Sequence, residues 1–119
     1  MTASARSIEI AQIAANAAND KLGEDIVALD VTGIFPLADI FVFVSSRNER
    51  QTPAIADEVA DQLLLSGVKL LRQEGKAGGR WILMDFGDII VHVMHEEERL
   101  YYGIERLWKD AVPLQLELS

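Results

Sequence analysis

The chain is short, acidic and free of cysteine, and each of these properties excludes a class of protein. Its 119 residues suffice for one domain, and without cysteine it has neither disulfides nor thiolate ligands for zinc. The net charge of −8 repels phosphate backbones and disfavours direct DNA or RNA binding as the main activity. The same charge would favour the approach of a basic protein partner, or it only keeps the protein in solution. No apolar run reaches the length of a membrane span and no secretory signal is present, so we expect a cytoplasmic protein.

The first part of the chain predicts one helix followed by two strands. Ser7 can cap a helix that runs to about residue 22, and Gly23 is placed to end it. The apolar stripe of this helix consists of Ile8, Ala11, Ala15, Ala18 and Leu22. Residues 26–31 are typical of a strand. Residues 40–44 form a continuous apolar, β-prone run, which favours a strand covered on both faces.

A second helix follows, and the residue at which it begins stays open between two alternatives. Thr52 and Pro53 fit the N-cap and the first helical position, whereas Asn48 with Gln51 offers an earlier start that resembles a capping box. The helix is expected to end at Gly67. Its predicted buried face comprises Ala56, Val59, Ala60, Leu63 and Leu64.

The C-terminal half predicts three strands and a last helix. Residues 68–72 are expected to form a short strand, and residues 80–86 and 89–94 a hairpin across a Gly-Asp turn. The helix over residues 97–109 has an apolar face of Leu100, Ile104, Leu107 and Trp108. Residues 114–119 are expected to be loose. The order α-β-β-α-β-β-β-α predicts a single α/β (α+β) domain over residues 1–119, with helices packed on a mixed sheet.

The strand over residues 80–86 carries the first candidate for a functional surface. Alternation places Ile82, Met84 and Phe86 on one face, which should be the core. The other face combines Trp81 with an apolar and an acidic side chain, next to Arg80 and a glycine-rich loop. A half-exposed tryptophan surrounded by charges is typical of a protein-binding hot spot. The alternative is that the indole covers a core edge under the first helix.

Acidic residues near strand ends suggest a second candidate, a magnesium site for nucleotidyl transfer. The residues concerned are Asp25, Asp30, Asp39, Asp85 and Asp88. A nucleotidyltransferase also needs a Gly-Ser phosphate loop and an Asp-x-Asp pair, and the sequence contains neither. Turn bonding and capping explain acids at such positions, so we expect no enzyme and no cofactor or metal.

His92 and His95 are a third candidate, as metal ligands. Residues three apart point to opposite faces of a strand, and the sequence places no further ligand with them. We therefore expect a packed His92 and a His95 that flanks the last helix. The three glutamates that follow, residues 96–98, complement the positive end of that helix without a metal.

The order of motifs resembles the ribosomal silencing factor family, also called RsfS or Iojap-related. The matching stretches are residues 25–31 (DIVALDV), 38–42 (ADIFV), 50–51 (RQ), 54–57 (AIAD), 80–94 (RWILMDFGDIIVHVM), 97–102 (EERLYY) and 105–108 (ERLW). Each motif is short, but the ordered set covers about residues 7–110. The sequence departs from the family pattern at residues 45–47, at Pro53 and in the loop over residues 76–79.

The resemblance implies a fold related to the nucleotidyltransferases, with a five-stranded mixed sheet and flanking helices. It implies that the protein binds ribosomal protein L-fourteen on the large subunit and blocks joining of the small subunit, which represses translation. Free family members also form homodimers. Two rival functions remain at this point, a ribosome assembly factor and a metal-dependent nucleotidyltransferase.

The resemblance also implies which residues touch the partner. The family tryptophan at the position of Trp81 lies on the surface that grips the ribosomal protein, so the hot-spot interpretation is favoured for this residue. The same surface is expected to include neighbouring positions, namely Glu74, Lys76, Arg80, Leu83 and Met94.

Overall fold

The structure, a computed structural model, describes residues 2–75 and 78–118, with the backbone alone for Glu105 and Leu107. Within these residues four helices and six strands follow one another. Their bounds are α1 (Ala5–Asp20), β1 (Glu24–Asp30), β2 (Ile40–Ser46), α2 (Gln51–Leu65), β3 (Arg72–Glu74), β4 (Trp81–Asp85), β5 (Ile89–His95), α3 (Glu96–Tyr102), α4 (Ile104–Leu107) and β6 (Val112–Leu114). None of the described helices is long and apolar enough to cross a membrane.

The strands form one mixed sheet in the order β3-β4-β5-β2-β1-β6. β2 and β5 pair in parallel, and the other neighbours pair antiparallel. The mixed α/β fold is confirmed, with one strand more than the five expected. The additional strand is β6, which ends at Leu114, the first residue of the segment expected to be loose. It pairs Leu114 with Ala28 of β1 and so supplies ladder partners at that edge of β1.

Helix α1 begins earlier than predicted and buries a different set of side chains. Ser4 caps it by accepting a hydrogen bond from the Ser7 amide at 3.0 Å. Ile8 and Leu22, predicted to be buried, are 43% and 76% exposed. The buried face is composed of Ser7, Ile10, Ala11, Ala14, Ala15, Ala17 and Ala18. These small side chains allow the helix to lie close to the sheet.

Helix α2 begins at Gln51, between its two predicted starts, with Arg50 as the N-cap. The Asn48 side chain accepts hydrogen bonds from the Arg50 and Gln51 amides. Pro53 is then the third helical residue, within the first turn, where its missing N–H costs no helical hydrogen bond. Leu64 was predicted to be buried but is exposed, because Ile55 and Thr52 complete the buried face instead.

The short strand β3 forms later in the chain than predicted, at Arg72–Glu74 rather than residues 68–72. Val68 and Leu70 pack as partly buried side chains against the main core. Pairing with β4 sets the position of the strand, because Arg72 lies opposite Asp85 and Glu74 opposite Leu83.

The predicted long last helix is interrupted at Gly103, whose φ of 55° is left-handed. Such a residue ends an α-helix, and the chain restarts as the short helix α4. Leu100, predicted to be buried, is 84% exposed, whereas Ile104 after the break is buried. Trp108 packs edge-on to Phe41 with ring centroids 4.7 Å apart, so it belongs to a core as expected.

The sheet separates two apolar cores. The larger core lies between the sheet and helices α1 and α2. The smaller core lies on the opposite face and includes Phe41, Phe43 and Met94, which Ile104 and Ala111 cover. This second face is covered at β1 and β2 but less so toward β3 and β4, where the candidate site lies.

Candidate functional site

Strand β4 has the alternation that the sequence predicts. Ile82 and Met84 are completely buried in the larger core, and Phe86 follows them there. Trp81, Leu83 and Asp85 are half-buried on the opposite face. Directly paired residues share a face of the sheet, so β3 and β5 extend this surface. The surface, called here the Trp81 face, consists of Trp81, Leu83, Asp85, Arg72, Glu74 and Ile90.

The indole of Trp81 is held from several directions while one side stays open. It lies opposite Met94 on β5 and packs against the smaller core. Its Nε1–H donates a hydrogen bond to Nδ1 of His92 at 3.2 Å. The ring of Tyr102 lies beside it, with centroids 5.2 Å apart. The alternative that Trp81 packs under the first helix is wrong, because α1 covers the other face of the sheet.

An acidic group of residues borders the Trp81 face. The Arg80 guanidinium donates to Glu98 at 2.8 Å and to Glu49 at 3.0 Å, and Glu97 lies 4.0 Å away. The hydrogen bonds that Arg80 donates to Glu98 and Glu49 raise the pKa of Arg80 above its usual value. Exposed ion pairs of this kind contribute little to stability. Three carboxylates outnumber one guanidinium, so this border carries net negative charge.

Five of the six residues predicted at the site can be placed. Trp81, Leu83 and Glu74 share the Trp81 face, and Arg80 lies at its border. Met94 is completely buried beneath the indole, so it supports Trp81 and presents no surface of its own. Lys76 lies outside the described residues.

An exposed aromatic pair next to Trp81 extends the surface beyond the predicted residues. Tyr101 and Tyr102 are both exposed, and their ring centroids are 5.1 Å apart. Both tyrosines belong to α3, and Tyr102 is the one whose ring lies beside Trp81.

Three of the five acidic candidates for a metal site, Asp30, Asp39 and Asp85, accept hydrogen bonds within the fold. Asp30 accepts hydrogen bonds from the Ala3 and Thr32 amides and the Thr32 hydroxyl. Burial pushes the pKa of Asp30 up, but these hydrogen bonds outweigh it and the net pKa is lowered. Asp39 accepts from Ser7, and Asp85 from the Gly87 amide. In the described part of the chain, no three His, Asp or Glu side chains are arranged to hold a metal ion.

The two histidines have separate structural positions, as predicted. His92 is packed between aromatic rings, with Phe43 stacked at 4.8 Å. His95 is the N-cap of α3, and its Nδ1 accepts a hydrogen bond from the Glu97 amide at 3.1 Å. The negative charges of residues 96–98 occupy the first turn of that helix.

A cleft of about 690 Å³ lies apart from the Trp81 face. Its lining includes Asp25, Ser45, Arg99 and Arg106, and contains no residue of the Trp81 face. The Arg99 side chain donates to the Ser45 hydroxyl at 2.9 Å and to the Asp25 carbonyl, so it bridges α3 to the sheet. Arg99 in this cleft therefore has a structural role.

A comparison with protein-family models identifies the family of this chain. The family model described as "Ribosomal silencing factor during starvation" matches residues 4–119. The chain belongs to the ribosomal silencing factor family. It is 46% identical to the ribosomal silencing factor of Bacillus subtilis over 110 residues, with 92% of this chain and 93% of that protein covered. It is 43% identical to that of Halalkalibacterium halodurans over 109 residues, with the same coverage.

Solved structures agree with this membership of the ribosomal silencing factor family. The crystal structure of a Chromobacterium violaceum protein matches with a TM-score of 0.83 at 37% identity, over 86% of this chain and 85% of that one. A Bacillus halodurans protein matches with a TM-score of 0.81 at 39% identity, over 92% and 99%. The resemblance noted in the sequence is confirmed. Both curated relatives are named as ribosomal silencing factors.

Proposed function

We propose that this member of the ribosomal silencing factor family docks on ribosomal protein L-fourteen of the large subunit through the Trp81 face. The bound protein occupies space that the small subunit needs, so subunits do not join and translation is repressed. The proposal places the protein in the cytoplasm. The observation that carries it is a half-buried tryptophan, held by a hydrogen bond, on a partly apolar surface.

The composition of the Trp81 face supports binding rather than catalysis. Trp81 offers a large, rigid indole, and Leu83 and Ile90 provide apolar neighbours that are partly open. Binding energy in protein interfaces concentrates at such aromatic residues, with polar groups around them that exclude water. Asp85 and Glu74 provide these polar groups on the same face. The tyrosines of α3 continue the aromatic surface past the indole.

Charge supports the choice of partner and the mechanism. The carboxylates around Arg80 and the net charge of −8 favour approach to a basic protein surface. Once docked, the same charge faces an opposing subunit whose surface is largely phosphate, so repulsion adds to the steric block.

A subunit-association assay in a density gradient tests the function directly. We expect purified small and large subunits to form fewer joined ribosomes when the protein is added, and we expect it to sediment with the large subunit. An assembly factor would bind the large subunit but leave joining unchanged. No effect on joining at a saturating protein concentration would contradict the proposal.

Two variants test the docking surface within this assay. Trp81→Ala should weaken binding to the large subunit by about 2 kcal/mol or more, as truncations at hot spots do. Leu65→Ala is the matched control, because Leu65 is also a large exposed side chain but lies at the end of α2, which packs on the other face of the sheet. Equal binding by both variants would refute the role of Trp81.

A further inference from the structure

His92 occupies an unusual place for a titratable side chain. It is 6% exposed and lies on the same face of the sheet as Trp81. Phe43 stacks on its ring at an interplanar angle of 17°, and Phe41 lies edge-on at 5.3 Å. The pKa of His92 is lowered to about 4 by this burial, so the ring is neutral near pH 7.

The hydrogen bond from Trp81 decides which nitrogen of His92 carries the proton. Nδ1 accepts from the indole N–H, so in the neutral ring the proton must sit on Nε2. That Nε2 atom is buried and has no hydrogen-bond partner among the described residues. An unpaired buried donor is unfavourable, and a phenyl ring would fill the same stack without it. Packing alone therefore does not explain a histidine here.

We propose that His92 is the positioning residue that holds the Trp81 indole in its docking orientation. The inference rests on the proposed function, because it assumes that the indole meets the partner. Trp81 begins β4, and its ring is open on one side. The bond to His92 fixes the direction of the indole N–H, whereas the neighbouring Met94 and the tilted Tyr102 ring offer the indole no comparable acceptor.

The benefit of this arrangement is pre-organisation. An aromatic side chain that is already held in its bound rotamer loses less conformational entropy when the partner docks. His92 is well suited to this because its own ring is clamped by Phe43 and Phe41, so it cannot follow a moving indole. A buried acceptor that stays neutral also avoids placing a charge beneath the apolar part of the docking surface.

Nuclear magnetic resonance of the ¹⁵N-labelled full chain tests the hydrogen bond itself. We expect the His92 ring to be the Nε2–H tautomer, and the Trp81 indole nitrogen to show a scalar coupling to His92 Nδ1 across the hydrogen bond. The Trp108 indole provides the internal reference, because the Nδ1 atoms of both histidines accept from other donors, Trp81 and the Glu97 amide. A proton on Nδ1 of His92 would overturn the proposal without any binding measurement.

Binding of the variant His92→Phe to the large subunit tests the consequence. This change keeps a ring in the stack and removes the acceptor, so we expect the protein to fold and to bind about three- to tenfold more weakly, the usual range for one hydrogen bond. His92→Gln restores an acceptor and should recover part of the loss. On a Trp81→Phe background, which lacks the indole N–H, His92→Phe should cause no further loss.

The outcomes separate this inference from the proposed function. If His92→Phe binds as tightly as the wild type while Trp81→Ala does not, Trp81 docks but His92 does not position it. If Trp81→Ala binds as tightly as the wild type, the docking function fails, whatever the resonance experiment shows. If His92→Phe does not fold, the resonance experiment on the wild type and the His92→Gln variant decide the matter.

Discussion

Acidification should destabilise this protein through His92. Its pKa is lowered from 6.5 to about 4 because burial among aromatic rings disfavours the charged form. The groups that pack on it from β2 and β4, namely Phe41, Phe43 and Trp81, carry no titratable proton in this range. Between pH 6.5 and 4 the unfolded chain therefore binds a proton at His92 that the folded protein does not.

The sign and size of the change in the free energy of unfolding follow from this difference in proton binding. Because the unfolded state takes up more protons in this window, the free energy of unfolding decreases as the pH falls from 6.5 to 4. The contribution of His92 to the free energy of unfolding is fully present above pH 6.5. Below pH 4 His92 causes no further decrease. A shift from 6.5 to about 4 corresponds to about 3 kcal/mol. That is a large part of the stability of a small domain.

Urea denaturation followed by circular dichroism, repeated at intervals from pH 7 to pH 4, measures this contribution. Carboxylates also titrate between pH 7 and pH 4. The quantity to compare is therefore the difference in the free energy of unfolding between the wild type and His92→Phe. We expect the free energy of unfolding of the wild type to fall by about 3 kcal/mol relative to that of His92→Phe as the pH falls. His95→Asn, which keeps an N-cap for α3, should retain the full decrease. Parallel pH profiles of the wild type and His92→Phe would refute the reasoning.

Three further predictions concern packing and capping. Gly23→Ala should lower the melting temperature markedly, since the new Cβ would lie 2.6 Å from Cγ1 of Val44; an unchanged melting temperature would contradict this close approach. Ser4→Ala should cost about 1 kcal/mol in urea denaturation because the Ser7 amide loses its cap, whereas Ser4→Asp should keep most of the stability. Met94→Ala should lower the free energy of unfolding by about 2–5 kcal/mol, because it leaves a cavity beside the docking indole. It should also weaken co-sedimentation with large subunits. A loss of stability without weaker binding would show that Met94 packs the core but does not support Trp81 in docking.

The features that the sequence predicted correctly are local ones. The alternation along β4 separates Ile82 from Trp81 because a strand has a period of two, and that period is visible in the residue order. The hairpin between β4 and β5 closes at Gly87, whose φ of 90° suits a glycine in a tight turn. The candidate docking tryptophan was therefore identifiable before its surroundings were known.

Predictions failed where a distant partner decided the outcome. The direction of the α1 helix, and hence the exposure of Ile8, depends on which residues fit against the sheet. A periodic apolar pattern extends across Gly103, but the helix breaks there, and Leu100 before the break is exposed while Ile104 after it is buried. Both errors come from reading a helix by period alone, which cannot locate a cap or a break that tertiary packing selects.

The sequence by itself determined the mixed α/β fold, the membership of the ribosomal silencing factor family and the exposed side of β4, because these depend on local periodicity and on the order of motifs. The tertiary structure alone decided the sixth strand, the burial of Met94 and the bond between Trp81 and His92. Each of these joins segments that the chain keeps apart, as when β6 meets β1 across the domain. Such contacts depend on how the whole sheet closes, and no window of residues contains that information.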